Sequence, residues 1–234
     1  MAIKGVLFDF SGTLFCVEST ESWLRTVTGR AGLALPQDEL LHWTRRLEWA
    51  GALPGGVAPR MVPAHLAQLW ADRDRSGELH RAAYEGLARE ARLPWPELYG
   101  PLYERHMEPA AWAPYPDTAE VLEALRARGT GVAVVSNIGW DLRPVFRAHG
   151  LDTLVDTYAL SYEHAVQKPD PRLFSVACHA LGVAPEDTVM VGDNRRADAG
   201  AAALGCAVHL VDHRPVADRP DALRRVLDLV DRAD

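Results

Sequence analysis

From residue 116 onward, short apolar runs alternate with stretches of helical period, and this alternation limits the possible folds more than any other property of the chain. Asp117 is placed to cap a helix with Glu120 at its third position, and Val121, Leu122 and Leu125 follow at helical spacing up to Gly129. Gly131-Val132-Ala133-Val134-Val135 is a continuous apolar run, the pattern of a strand buried on both faces. The alternation continues with a predicted helix over 141–149 and a strand over 157–160. A helix over 171–181 and a strand over 188–191 come next. A helix over 197–204, a strand over 207–211 and a helix over 221–230 complete it. With Ile3–Phe8 counted first, five strands result. Strand–helix–strand repeats need right-handed crossovers, which implies an α/β fold: a doubly wound parallel sheet with helices on both faces.

Residues 16–114 read differently. No strand is predicted there, but helices are expected over 38–49, 64–72, 78–92 and 97–108, separated by loops rich in Gly and Pro. Six of the seven tryptophans fall in this segment, at positions 23, 43, 49, 70, 95 and 112. The expected organisation is a core of residues 1–15 and 115–234, with an all-helical insertion of residues 16–114 directly after the first strand.

Composition narrows the function classes. The net charge of −7 disfavours a duplex-binding surface, so no nucleic-acid partner is expected. No apolar run approaches the roughly 18 residues of a membrane helix, and Asp9 interrupts the N-terminal apolar stretch where a secretory signal would continue. Three cysteines are an odd number, which fits reduced thiols in a cytoplasmic protein. The sequence leaves the oligomeric state open.

Three predicted strands end in polar residues that packing does not require. The first ends Phe8-Asp9-Phe10-Ser11-Gly12-Thr13, the second Val135-Ser136-Asn137, and the fourth Val191-Gly192-Asp193-Asn194, with Asp198 following. In an open α/β sheet, ligands bind beyond the carboxyl ends of the strands, where strand order reverses. A central first strand flanked by the second and fourth brings these ends together. Only two lysines exist among 25 basic residues, and one of them, Lys168, precedes Pro169 close to this set. Asp9, Asp193 and Asp198 would place three negative charges in one crevice against the single charge of Lys168. Protonation or a bound cation must resolve that excess, and hard carboxylate oxygens without His or Cys at ligand spacing favour Mg²⁺. A crevice neutralised in this way accepts a phosphate dianion. Ser136, Asn137 and the backbone amides around Gly12 and Thr13 are expected to hydrogen-bond it, Lys168 to offset its charge, and Asp9 to attack phosphorus.

Asp9-Phe10-Ser11-Gly12-Thr13-Leu14, Ser136-Asn137, Lys168-Pro169-Asp170-Pro171 and Gly192-Asp193 with Asp198 resemble, in order and spacing, the four motifs of the haloacid dehalogenase superfamily. The resemblance covers essentially the whole chain, and the helical insertion resembles that family's cap domain. It implies a Rossmann-like core, Mg²⁺, a covalent aspartyl intermediate and hydrolysis of small phosphorylated metabolites. It further implies Asp9 as nucleophile and metal ligand, the Ser11 carbonyl and Asp193 as ligands, Asp198 as ligand or supporting partner, and Ser136 and Lys168 as phosphoryl-binding groups. Phosphatases of the family carry a second Asp at the position of Ser11, as general acid and then base; loss of such help costs typically ~10²–10⁴-fold. The phosphonate-cleaving members use a cap lysine, which this insertion lacks. The dehalogenases carry Tyr at that position and lack the Asp pair. A silent phospho-ligand-binding homologue and a 2-haloacid dehalogenase are the alternative expectations. His42, His65, His80 and His106 are the insertion's candidates for a substitute acid.

Overall fold

The computed structural model describes residues 3–231. Its main sheet has five parallel strands: β1 (Gly5–Phe8), β4 (Gly131–Ser136), β5 (Thr157–Leu160), β6 (Thr188–Gly192) and β7 (Ala207–Leu210). Their order is β5-β4-β1-β6-β7, so β1 is central, with β4 and β6 as its neighbours. This is the Rossmann-like, doubly wound arrangement that the strand–helix alternation predicts. Because side chains alternate along a strand, each central strand feeds two cores. Val6, Phe8, Val132, Val134, Val189 and Val191 face one layer, with α6 (Thr118–Ala127), α7 (Arg143–Ala148) and α10 (Arg224–Asp231). Leu7, Ala133, Val135 and Met190 face the other, with α9 (Pro171–Leu181).

The segment between β1 and β4 is not wholly helical, contrary to the sequence expectation. β2 (Phe15–Val17) and β3 (Trp112–Pro114) pair antiparallel at its base, with Cys16 opposite Ala113. Three-residue strands are too short to show a period of two in the sequence, and this ribbon ties the two ends of the insertion together. Between them lie α1 (Thr20–Arg30), α2 (Gln37–Ala50), α3 (Ala67–Asp72), α4 (Gly77–Glu90) and α5 (Tyr99–Glu104). Ser19 and Ser76 cap α1 and α4 through bonds from Ser22 N and Leu79 N, and Gly51 closes α2 in the left-handed conformation. These helices enclose their own apolar cluster around Trp23, Leu24, Leu40, Leu47, Leu87 and Leu102.

Several expected helices are shorter or tighter than predicted: the one over 64–72 opens with a 3₁₀ turn, Ala64–Leu66, before α3, and the one over 221–230 starts at Arg224. The helix expected over 97–108 breaks into 3₁₀ turns on either side of α5, where Gly100 and Pro101 interrupt the pattern. The helix expected from 141 starts at Arg143, because Asp141 turns back to accept from the Arg143 amide at 3.1 Å. The helix expected over 197–204 is a 3₁₀ helix, Asp198–Leu204. Its Gly200 lies against the Pro169 carbonyl, where a Cβ would collide. No helix among the described residues is long and apolar enough to cross a membrane.

Candidate active site at the carboxyl edge of the sheet

β1, β4 and β6 end side by side and deliver Asp9, Ser136 and Asp193 to the floor of one cavity of about 910 Å³. Its roof comes from the insertion: the loop after α2, the 73–84 stretch and Trp112. Gly55, at φ +77°, lies directly over Ser11; a Cβ there would stand 3.2 Å from the Ser11 hydroxyl and 2.6 Å from the Trp112 ring. Glycine is what lets this loop approach so closely.

Asp9, Asp193 and Asp198 offer carboxylate oxygens that all lie within 4.8 Å of one another. Lys168, buried between two of them, donates from Nζ to Asp9 Oδ1 at 2.9 Å and to Asp198 Oδ1 at 2.7 Å. Burial opposes the lysine's charge, but Asp198 and Asp9 more than compensate and raise its pKa above the ordinary lysine value. The Asp9 carboxyl is pushed up from 3.8 to about 7 by burial, aided by Asp198 and Asp193, although Lys168 pulls the other way. A buried carboxyl under this strain, with two further carboxylates at hand, fits the donor chemistry of a hard divalent cation. Asp9, Asp193 and the Ser11 carbonyl are the groups on the cavity side that could hold one.

Several expected binding residues sit elsewhere. Thr13 is fully buried, and its carbonyl accepts from Arg219 Nη2. The Gly12 amide donates to Phe15 O at 2.7 Å, and the Gly12 carbonyl accepts from Arg219 Nη1 at 2.6 Å. The backbone polar groups of this tight turn are thus engaged within the protein, although the buried Thr13 Oγ1 has no partner, and neither residue lines the cavity. Asn137 lines it, but its amide is engaged at both ends: Nδ2 donates to the Lys168 carbonyl at 2.9 Å, and Oδ1 accepts from the Lys168 amide at 2.6 Å. Asn137 thus braces the lysine with one Nδ2 hydrogen and its Oδ1, and a second Nδ2 hydrogen remains. Asp198 lies wholly buried behind the cavity wall, with one oxygen on Lys168 and the other accepting from the Asn194 amide at 2.9 Å. Its position is that of a partner of the lysine. Among the histidines of the insertion, His42 and His65 are exposed away from the cavity, His106 is buried behind it, and His80 lines it.

Sequence reasoning missed His213, in the loop after β7, whose Nδ1 lies 3.0 Å from Asp193 Oδ2. The Asp193 carboxylate, with Cys16 helping, raises the imidazole pKa to about 9. The strand-end rule applied to the fifth strand could have found it, since β7 borders β6. Arg219 was also missed: its guanidinium lies 3.2 Å from the Tyr115 ring centroid while it binds the Gly12 and Thr13 carbonyls.

Fold and site together define an α/β protein with a carboxylate-rich crevice where the strand order reverses. The family model for haloacid dehalogenase-like hydrolases matches residues 3–205, and the chain belongs to that family of hydrolases. It is 29% identical over 206 residues to (S)-2-haloacid dehalogenase 4A of Burkholderia cepacia, covering 87% of this chain and 80% of that protein. It is 26% identical over 222 residues to a phosphoglycolate phosphatase of Thiobacillus denitrificans, covering 94% and 88%. The solved L-2-haloacid dehalogenase of Xanthobacter autotrophicus shares the fold with a TM-score of 0.63 at 23% identity, over 97% of this chain and 83% of that one. Relatives of both activities thus surround the chain.

Proposed function

We propose that this hydrolase cleaves small phosphomonoesters through an aspartyl-phosphate at Asp9, with Mg²⁺ held by Asp9, Asp193 and the Ser11 carbonyl. The acidic trio carries this reading. Three carboxylates stand against Lys168 and His213, so the crevice would repel a phosphate dianion unless a divalent cation offset the excess. Bound there, Mg²⁺ would neutralise that charge and polarise a phosphoryl oxygen.

The protein's own groups do the rest. An Asp9 carboxylate oxygen forms the bond to phosphorus as the ester oxygen departs with the bonding pair. Lys168 has three N–H donors, of which Asp9 and Asp198 use two, so the third can bind a phosphoryl oxygen. Ser136, at the end of β4 and on the cavity floor, supplies a hydroxyl donor. Water then attacks the aspartyl-phosphate, breaks the phosphorus–Asp9 bond and frees the carboxylate. Ser11 can hydrogen-bond the leaving oxygen but is a poor proton source near neutral pH.

Ser11 supports a second reading, dehalogenation of a 2-haloacid, because halide leaves without a proton. The carboxylate of Asp193 beside Asp9 weighs against it, since it repels an anionic haloacid. One experiment separates the readings. Phosphate release from p-nitrophenyl phosphate is measured with and without Mg²⁺, and halide release from 2-chloropropionate without added metal. Mg²⁺-dependent phosphate release that vanishes in Asp9→Asn is expected. Metal-independent halide release with no phosphate release would overturn the proposal in favour of the dehalogenase. No turnover of either, with phosphate ester bound, would leave a binding protein.

A further inference from the structure

The cavity roof carries a polar pair that the reaction above does not use. Asp74 and His80, both buried, flank the start of α4 and line the same cavity as Asp9 and Lys168. Asp74 Oδ1 faces His80 Nε2 across 3.8 Å, too far for a direct hydrogen bond. Each partner is anchored so that the gap stays open. Asp74 Oδ2 pairs with Arg73 Nη2 at 3.2 Å, and the Asp74 carbonyl accepts from Ser161 Oγ at 2.5 Å. Ser161 Oγ in turn accepts from the Ile138 amide, two residues past Ser136. On the other side of the gap, the His80 Cβ rests on Gly139, where any side chain would collide. Its Nδ1 lies 2.8 Å from the Tyr103 hydroxyl. Gln167, beside Lys168, donates to the Ala71 carbonyl at 2.7 Å, so the stretch is docked to the core at two places.

The tautomer of His80 follows from these contacts. Burial holds the ring neutral, with its pKa well below the ordinary value. If the Tyr103 hydroxyl donates to Nδ1, the ring hydrogen sits on Nε2 and points toward Asp74. The opposite tautomer would set a lone pair against the carboxylate. The pair therefore presents one acceptor and one donor to the same point of the cavity, and a group oxygen can lie about 2.8 Å from both. An ammonium group could donate to Asp74 but not accept from His80. A carboxylate could accept from His80 but has no hydrogen to give Asp74, so it would set one acceptor against another. A hydroxyl does both.

We propose that Asp74 and His80 form a hydroxyl-binding subsite, which makes the preferred substrates phosphomonoesters that carry a free hydroxyl group away from the phosphoryl end. The proposal rests on the phosphomonoester reading for what occupies the other end of the cavity. A substrate without the hydroxyl strips water from the pair and replaces none of its hydrogen bonds, which is the cost that separates the two kinds of ligand.

The test compares ω-hydroxyalkyl phosphates with n-alkyl phosphates of equal heavy-atom count, over a series of chain lengths. Calorimetry on the Asp9→Asn protein with Mg²⁺ reads binding without turnover, and hydrolysis of p-nitrophenyl phosphate by the wild-type protein is followed in parallel. At one chain length the hydroxyl compound should bind about tenfold more tightly than its methyl counterpart. That ratio should fall to about one in His80→Phe, while the affinity of the methyl compound changes little. The wild-type ratio of KM values gives the same comparison without a variant. If the aryl phosphate is not hydrolysed but the hydroxyl preference is present and His80-dependent, the reaction assignment fails and the subsite stands. Equal affinities at every length would mean that the pair holds only water and would overturn the subsite. Failure of both series to bind would overturn both proposals.

Discussion

Asp9→Asn should make the protein more stable at alkaline pH while abolishing turnover. In the wild type, the Asp9 carboxyl rises from its ordinary value of 3.8 to about 7, chiefly because burial disfavours its charge. At about 1.4 kcal/mol for each tenfold change in the ionisation constant, holding it ionised in the folded state above pH 7 costs on the order of 4 kcal/mol. The sign follows from the direction of the shift. A carboxyl whose folded value lies above its unfolded value binds its proton more tightly when folded. Stability is therefore retained at low pH and lost as pH rises from about 4 to about 7. Asparagine has nearly the shape of the protonated acid and no charge to bury. The difference between the variant and the wild type should be small below pH 4 and grow to a few kcal/mol by pH 8. Urea denaturation of both proteins without divalent cation, at intervals from pH 4 to 8.5, measures it. Addition of Mg²⁺ should close the gap by stabilising the wild type more than the variant. A variant that is equally or less stable than the wild type at pH 8 would refute the reasoning, because it would mean that Lys168 already compensates the ionised Asp9.

The remaining predictions concern the metal, the leaving group and the insertion. Asp193→Asn should sharply lower calorimetric Mg²⁺ affinity, whereas Ser11→Ala should leave it nearly intact, since residue 11 contributes only its carbonyl; equal losses would break that assignment. Ser11→Asp should raise turnover of alkyl phosphates more than that of aryl phosphates, by up to the ~10²–10⁴-fold that acid–base help supplies, measured at saturating Mg²⁺. Equal gains would point to another proton source in the cavity. Trp23→Ala removes a fully buried ring and its bond to the Leu102 carbonyl. It should cost about 3–5 kcal/mol by denaturant unfolding, and a loss under 1 kcal/mol would mean that the insertion's core is loosely packed.

The apolar strands and the polar residues that end them were legible because a buried strand has few reasons to finish in Asp or Ser. Asp9, Ser136 and Asp193 meet on that logic alone, whereas Lys168, beyond the end of β5, stands out as one of only two lysines. Hydrogen-bond closure within the turn was not legible. Gly12 and Thr13 look like free phosphate-binding amides, but their N–H groups donate to the Phe15 and Phe10 carbonyls inside the turn, and Arg219, more than 200 positions later, takes their own carbonyls. Asn137 has the chemistry of a substrate donor, and what the sequence does not show is the approach of the Lys168 backbone, which engages its Oδ1 and one Nδ2 hydrogen. The contacts of Arg219 and of the Lys168 backbone join residues distant in the chain, which no local pattern encodes. The β2–β3 ribbon failed for the opposite reason: each strand is too short to carry a period.

The central place of β1 has a consequence for how the chain is made. Gly5–Phe8 leaves the ribosome well before its two partners, which begin at Gly131 and Thr188. A wholly apolar strand therefore waits unpaired until Gly131 and the residues after it are made, while the helices between, with their own core, can already pack. When β6 arrives, the strand that ends at Asp9 is closed on both sides, and Asp9 acquires the carboxylate neighbours that perturb it. The nascent chain thus holds no assembled acidic crevice until Asp193 and Asp198 have been translated.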